Sequence, residues 1–210
     1  MVKGIIFDFD GVIVDSEVSY VDSVVEYLSR LGIKTTFDDV KYVVGQNMND
    51  IASDLIKQFN LNISNQKVID DSMKVYNEVA DIYKIPTING VIDFVKKCHN
   101  KNIKMCIASS SEYSYLYAIL NNLNITDYFE FVLSGADFVH SKPDPEIYNI
   151  AAQKLNIDKS ELLIIEDSIN GIKAGKASGI YTIGLKASKV IQDTSQADKE
   201  VYSFEEINIC

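Results

Sequence analysis

The sequence predicts a parallel, doubly wound α/β domain, interrupted after its first strand by a helical module. Two observations carry this. Short apolar runs recur at Gly4–Asp10, Ile103–Ala108, Phe131–Leu133, Leu162–Ile165 and Ile180–Ile183, with helical patterns between them. Strands alternating with helices imply right-handed crossovers and a parallel sheet. Between Ser16 and Tyr83 no strand-like run occurs, only helical stripes. The core is therefore placed at 1–15 and 84–210 and the inserted module at 16–83. A chain of 210 residues has room for one domain carrying a smaller inserted one.

Gly4-Ile5-Ile6-Phe7 is apolar until Asp8-Phe9-Asp10 ends the run in acid, as suits a strand buried on both faces of a parallel sheet. In the inserted module, Val18, Val21, Val25, Leu28 and Leu31 form a helical stripe closed by Gly32. Ile51, Leu55, Ile56 and Phe59 form a second, with Asn49 as its N-cap, and Val68, Val75, Val79 and Ile82 a third. Ile103–Ala108 returns the chain to the sheet. Glu112–Leu123 then places Leu116, Ile119, Leu120 and Leu123 on one helical stripe. Pro145–Leu155 takes Asp144 as N-cap and Pro145 as first helical residue, and Ile169–Ser178 ends at Gly179, a C′ glycine.

Composition excludes several classes. Hydrophobic residues make up 47% and charged residues 24%, a globular balance. No apolar run reaches the roughly 20 residues that span a bilayer, and the N-terminus runs straight into a strand rather than a leader. Cys98, Cys106 and Cys210 are odd in number and lack metal-ligand spacing, which fits a reducing, cytoplasmic setting. The net charge of −10 argues against nucleic-acid and anionic-membrane partners, which need clustered Lys and Arg.

The chemistry gathers at strand ends. Asp8 and Asp10, two residues apart, point to one side of a strand end, where ligands of open α/β sheets bind. A carboxylate there can attack phosphorus, and a second can protonate the leaving group and then activate water. A solvated strand end or a bare cation site accounts for the pair equally well. Ser109 can donate to a phosphate oxygen, although Ser109-x-x-Glu112 is also a good capping box. Lys142, in Ser141-Lys142-Pro143-Asp144-Pro145, can neutralise Asp8 and a transferring phosphoryl group, or be an exposed turn residue. Glu166 and Asp167 end an apolar strand and can hold Mg²⁺, although Asp167 or Ser168 can also cap a helix. Each piece has a bland alternative; together they supply nucleophile, acid/base, hydroxyl, lysine and metal acids in strand order.

These residues resemble the haloacid dehalogenase superfamily, in its β-phosphoglucomutase-like branch: DFDGVIVDS, IASSS, SKPDPEIY and IIEDSINGIKAGKASG match its four motifs in order. The resemblance implies a Rossmann-like core with an inserted helical cap that closes over substrate. It implies Asp8 as nucleophile and metal ligand, and Asp10 as general acid/base, with its carbonyl on the metal. Ser109, Ser110 and Lys142 would bind the phosphoryl group, and Glu166 and Asp167 the Mg²⁺. Gln46, Asn47 and Asn49 of the cap loop would choose the substrate. The implied partner is a small phosphorylated metabolite, a sugar phosphate by the amides of that loop; a monomer is expected, although no residue pattern speaks to oligomeric state.

Phosphatases and sugar-phosphate mutases share this core. A mutase must hold a second phosphate with cations. Here Tyr20 replaces the mutase histidine, Gly45-Gln46-Asn47-Met48-Asn49 carries no basic residue, and Glu112 stands where the mutase tends to be basic. The expectation is a Mg²⁺-dependent phosphatase working through an aspartyl-phosphate, with a β-phosphoglucomutase-type mutase as the alternative. A dehalogenase would not need Asp10 or the acids at 166–167. A phospho-acceptor receiver would carry its acid pair after the first strand and its phosphorylated aspartate after the third.

Overall fold

A computed structural model describes residues 1–210 except Gly45, Asn47, Ile82, Tyr83 and Cys210. The elements run β1 (Gly4–Phe7), α1 (Ser16–Arg30), α2 (Phe37–Val40), α3 (Met48–Phe59), α4 (Asn65–Val79), α5 (Val91–Asn100), β2 (Lys104–Ser109) and α6 (Tyr113–Asn122). They continue with β3 (Phe131–Ser134), α7 (Glu146–Leu155), β4 (Leu162–Glu166), α8 (Ile169–Ser178), β5 (Tyr181–Leu185) and β6 (Lys199–Val201), with single 3₁₀ turns between some of them. The chain divides into two compact units, Met1–Asp15 with Pro86–Cys210, and Ser16–Ile85.

The first unit holds a six-stranded, all-parallel sheet in the order β3-β2-β1-β4-β5-β6. Strand order reverses at β1, which lies between β2 and β4, so the crevice beyond the carboxyl ends of these three strands is where such a sheet binds ligands. Register aligns those ends. Phe7 pairs with Ile107 and Ile165, and Ser109 with Ser134. On one face Ile6, Cys106, Ile164 and Leu133 pack with Tyr148, Ala151 and Leu155 of α7 and Ala174 of α8. Elsewhere in this unit Phe7 meets Phe94 and Phe129 edge-on, with ring centroids 6.2 and 5.8 Å apart.

The second unit is wholly helical among its described residues, built on Val21, Val24, Tyr27, Leu28, Val40, Ile51, Leu55, Val68 and Val75. Three expectations shift here. Helix α1 ends at Arg30 and leaves Leu31 exposed; α4 ends at Val79, itself exposed. Helix α3 starts at Met48, so Asn49 lies inside its first turn, where its carbonyl accepts from Ser53 Oγ, rather than at the cap. Ile82 lies outside the described residues, as does Cys210.

Two elements of the first unit went unpredicted. Helix α5 starts from Gly90, in the left-handed conformation at φ +83°, and β6 is a three-residue edge strand with two charged residues. Helix α7 begins one residue later than expected, with Pro145 as the flanking residue and Asp144 Oδ1 accepting from the Glu146 N–H at 2.9 Å. Gly179 ends α8 in the left-handed conformation as expected.

Candidate active site

The β1–β4 ladder continues one step beyond β1: the Asp8 N–H donates to the Ile165 carbonyl at 3.0 Å, so Asp8 emerges from the sheet beside the end of β4. The chain then turns tightly, with the N–H groups of Val12, Ile13 and Val14 all directed at the Phe9 carbonyl. Gly11 makes the turn possible at φ +78°, where a side chain would also overlap the Asp167 carboxylate.

Lys142, from the segment before α7, reaches the same point. Its ammonium donates to Asp8 Oδ1 at 2.6 Å, to Glu166 Oε1 at 2.8 Å and to the Ala108 carbonyl at 3.0 Å. Its side chain is only 7% exposed, so these are desolvated contacts. Glu166 is fully buried, and five donors meet its carboxylate. Lys142 and the Tyr148 hydroxyl, at 2.8 Å, serve Oε1; the Asp167 and Ser168 N–H groups and Ser168 Oγ, each at 3.0 Å, serve Oε2. Gly171 of α8 exists for this carboxylate, since a Cβ there would overlap it.

The electrostatics follow from burial and this sharing of one ammonium. Burial, then the charge of Glu166, pushes the Asp8 carboxyl up to about 8, with Lys142 opposing. Burial also disfavours the Glu166 carboxylate, yet Lys142 and the donors of Ser168 and Tyr148 outweigh it and hold Glu166 below the ordinary value. Burial alone would lower Lys142; Asp8 and Glu166 reverse that and hold it well above the usual lysine range. The Tyr148 hydroxyl is raised by burial and by Glu166, so it stays a donor.

Asp8, Glu166 and Asp167, all buried, each bring a carboxylate oxygen within 4.8 Å of the others. Hard oxygen donors at this spacing fit a divalent cation of the Mg²⁺ type, whose charge would in turn favour the ionised form of Asp8.

The remaining expected residues are placed as follows. Ser109 ends β2 and is buried; its hydroxyl accepts from the Ser111 N–H at 3.1 Å. It does not open a capping box, because α6 starts later and Glu112 itself is the flanking residue, without a side-chain cap bond. Ser110 is exposed, its backbone lying against Gly135. Ser168, not Asp167, caps α8 by accepting from the Gly171 N–H. In the helical unit, Gln46 Nε2 donates to the Tyr42 carbonyl and to Asp54 Oδ2, at 3.2 and 3.3 Å, and Asn49 is exposed. Asn47 lies outside the described residues. Tyr20 donates to Met48 Sδ at 3.5 Å and tilts against Tyr76.

Three residues were not foreseen. Tyr148 holds Glu166 and lies under the Lys142 ammonium, 4.9 Å from ring centre to Nζ. Ser111 Oγ donates to Asp10 Oδ2 at 2.7 Å and Tyr115 OH to Asp10 Oδ1 at 3.0 Å. Tyr148 closes the SKPDPEIY motif, but nothing in the sequence says that its hydroxyl meets Glu166.

Fold and site together define a parallel α/β domain with an acidic crevice at its strand ends. Residues 5–185 match the family described as haloacid dehalogenase-like hydrolase, and the chain belongs to that family. It is thus an enzyme. A phosphorylated carbohydrates phosphatase of Thermotoga maritima is 27% identical over 186 residues, 87% of this chain and 84% of that one. Among solved structures, a hydrolase of this family from Deinococcus radiodurans with bound phosphate and sodium superposes with a TM-score of 0.83 at 23% identity, covering 98% of this chain and 93% of that one. A β-phosphoglucomutase from Clostridium difficile gives 0.67 at 22%, covering 100% and 94%. These likenesses of structure establish the fold. Among the described residues, no helix is long and apolar enough to cross a membrane.

Proposed function

We propose that the chain is a Mg²⁺-dependent phosphatase of small phosphorylated metabolites, sugar phosphates foremost, working through an aspartyl-phosphate on Asp8. The observation that carries this is the convergence of Asp8, Lys142 and the buried acids at the ends of β1 and β4. Asp8 and Asp167 would hold the cation with the Asp10 carbonyl, and Glu166, engaged by its five donors, would anchor Lys142 beside them. Mg²⁺, when bound, supplies charge neutralisation for the phosphoryl oxygens.

This chain's own residues do the rest. An Asp8 oxygen attacks phosphorus in line, the bond from phosphorus to the substrate oxygen breaks, and that oxygen takes a proton from Asp10. Water then attacks the phosphorus of the aspartyl-phosphate, passing a proton to Asp10, and phosphate leaves with Asp8 restored. Lys142 neutralises charge on the transferring group, assisted by the Ser109 hydroxyl and Ser110. Substrate choice is assigned to Gln46, Asn47 and Asn49 of the inserted unit, which serves as the cap. A mutase would need cations for a second phosphate, and Lys142 is already engaged by two carboxylates.

The test is phosphate release from a panel of sugar and nucleotide monophosphates, with Mg²⁺ and with EDTA. Glucose 6-phosphate formation from β-glucose 1-phosphate is followed in parallel, with trace bisphosphate. Mg²⁺-dependent phosphate release is expected. Glucose 6-phosphate appearing without phosphate release would make the enzyme a mutase instead.

A further inference from the structure

The Tyr115 contact with Asp10 has a consequence for the reaction. Tyr115 lies in the first turn of α6, just beyond the end of β2, and meets the β1 loop twice. Its ring stands edge-on against Phe9, with centroids 5.9 Å apart and planes at 77°, and its hydroxyl donates to Asp10 Oδ1. Phe9 is fully buried, so the ring that carries the hydroxyl rests on a fixed surface. On the other carboxylate oxygen, Ser111 Oγ donates to Oδ2 at 2.7 Å. The Ser111 backbone is itself held, its carbonyl accepting from Ser134 Oγ at 2.7 Å and its N–H donating to Ser109 Oγ. Each oxygen of one carboxylate therefore receives a hydroxyl, one from the turn between β2 and α6 and the other from the first turn of α6.

An aspartate has two side-chain torsions, and Asp10 is only half-buried, so its backbone alone does not fix where its proton sits. Two donors on separate oxygens fix both torsions. A catalytic group has to be held within about 0.5 Å of its working position for proton transfer to a departing oxygen to count. We propose that Tyr115 is a positioning residue for the acid/base Asp10, with Ser111 as its counterpart on the second oxygen. This rests on the phosphatase reading above, which assigns proton transfer to Asp10. In this assignment Tyr115 acts through Asp10.

The role predicts a dependence on the leaving group. kcat/KM reports the steps up to formation of the aspartyl-phosphate, in which Asp10 protonates the leaving oxygen. Phenyl phosphate and p-nitrophenyl phosphate are similar in size, but nitrophenolate departs readily without a proton, whereas phenolate, the base of an acid with pKa about 10, gains from one. Tyr115→Phe keeps the ring against Phe9 and removes only the hydroxyl. General acid catalysis contributes about 10²–10⁴-fold, and a mispositioned acid forfeits part of this. The expected result is a fall of about tenfold in kcat/KM for phenyl phosphate and of less than about threefold for p-nitrophenyl phosphate, with the melting temperature unchanged. Ser111→Ala should give the same asymmetry, and the double variant should approach the asymmetry of Asp10→Asn. Equal losses on both esters, or none on either, in an enzyme that Asp8→Asn inactivates would overturn the positioning role and leave the phosphatase reading standing. Absence of Mg²⁺-dependent turnover of either ester by the unmodified enzyme would instead refute the phosphatase reading, and the positioning role with it.

Discussion

Replacing Gly171 by alanine probes the buried carboxylate on which the site is built. Gly171 lies inside α8 and has an ordinary helical backbone, so on helix propensity alone alanine should stabilise by about 1 kcal/mol. Space reverses the sign. The new Cβ would overlap the Glu166 carboxylate, which is fully buried and cannot swing away without leaving Lys142, Tyr148 and the Ser168 donors. Disrupting a buried, hydrogen-bonded charge network costs about 3–5 kcal/mol. Subtracting the propensity gain leaves about 2–4 kcal/mol of net destabilisation. At this chain length each kcal/mol moves the melting temperature by about 2–4 °C, so a fall of about 5–15 °C is expected by calorimetry. Phosphate release should fall at least about tenfold in the folded variant, because Lys142 loses the Glu166 carboxylate that helps hold it against Asp8. A variant that melts at or above the parent temperature with unchanged turnover would refute the claim that Glu166 is locked in place.

Further outcomes follow from the same geometry. Mg²⁺ at about a hundred times its dissociation constant should stabilise the protein by about 2.7 kcal/mol and EDTA should reverse this, while Asp167→Ala should lose most of the shift in a thermal-melt titration. Burial pushes the Cys98 thiol up to about 12 and raises Cys106 as well. Peptide-resolved alkylation at pH 8 should therefore find both unreactive in the folded protein and reactive in denaturant. Burial works to raise the Asp198 carboxyl, but Lys176 and the Thr182 N–H more than offset it and hold it below its ordinary 3.8. A depressed folded-state value gives stability that is present above about pH 4 and lost as pH falls through the folded-state value. Asp198→Asn should thus melt lower than the parent at pH 7, and the gap should close in acid.

The strands that build the crevice were legible because β1, β4 and, past the exposed Lys104, β2 are buried and read as apolar runs. β6 could not be read this way: it is an edge strand of three residues, two of them charged. Helix α5 did carry a stripe, Val91, Phe94, Val95 and Cys98, but it starts from a glycine in the left-handed conformation instead of a capping side chain. The residues that the motifs single out, Asp8, Lys142, Glu166 and Asp167, come together as side chains. Of their supports, Ser111 and Tyr148 lie inside the quoted motifs, but what they and Tyr115 touch was not readable. Tyr115 lies 105 positions from Asp10 and Ser111 101, separations at which local pattern says nothing about contact. The capping box at Ser109 failed because β2 runs through Ser109 and α6 starts only at Tyr113, too far along for that hydroxyl to serve its first turn.

The central claim is that phosphorus passes through Asp8. Borohydride added during steady-state turnover of a phosphate ester reduces an acyl phosphate to the alcohol, which would convert Asp8 to homoserine. Peptide mass spectrometry then reads the position directly, with Asp8→Asn as the control that should fold but not turn over. Homoserine at position 8, dependent on both substrate and Mg²⁺, is the predicted result. Full turnover with Asp8 unmodified, or substantial activity in Asp8→Asn, would contradict the account.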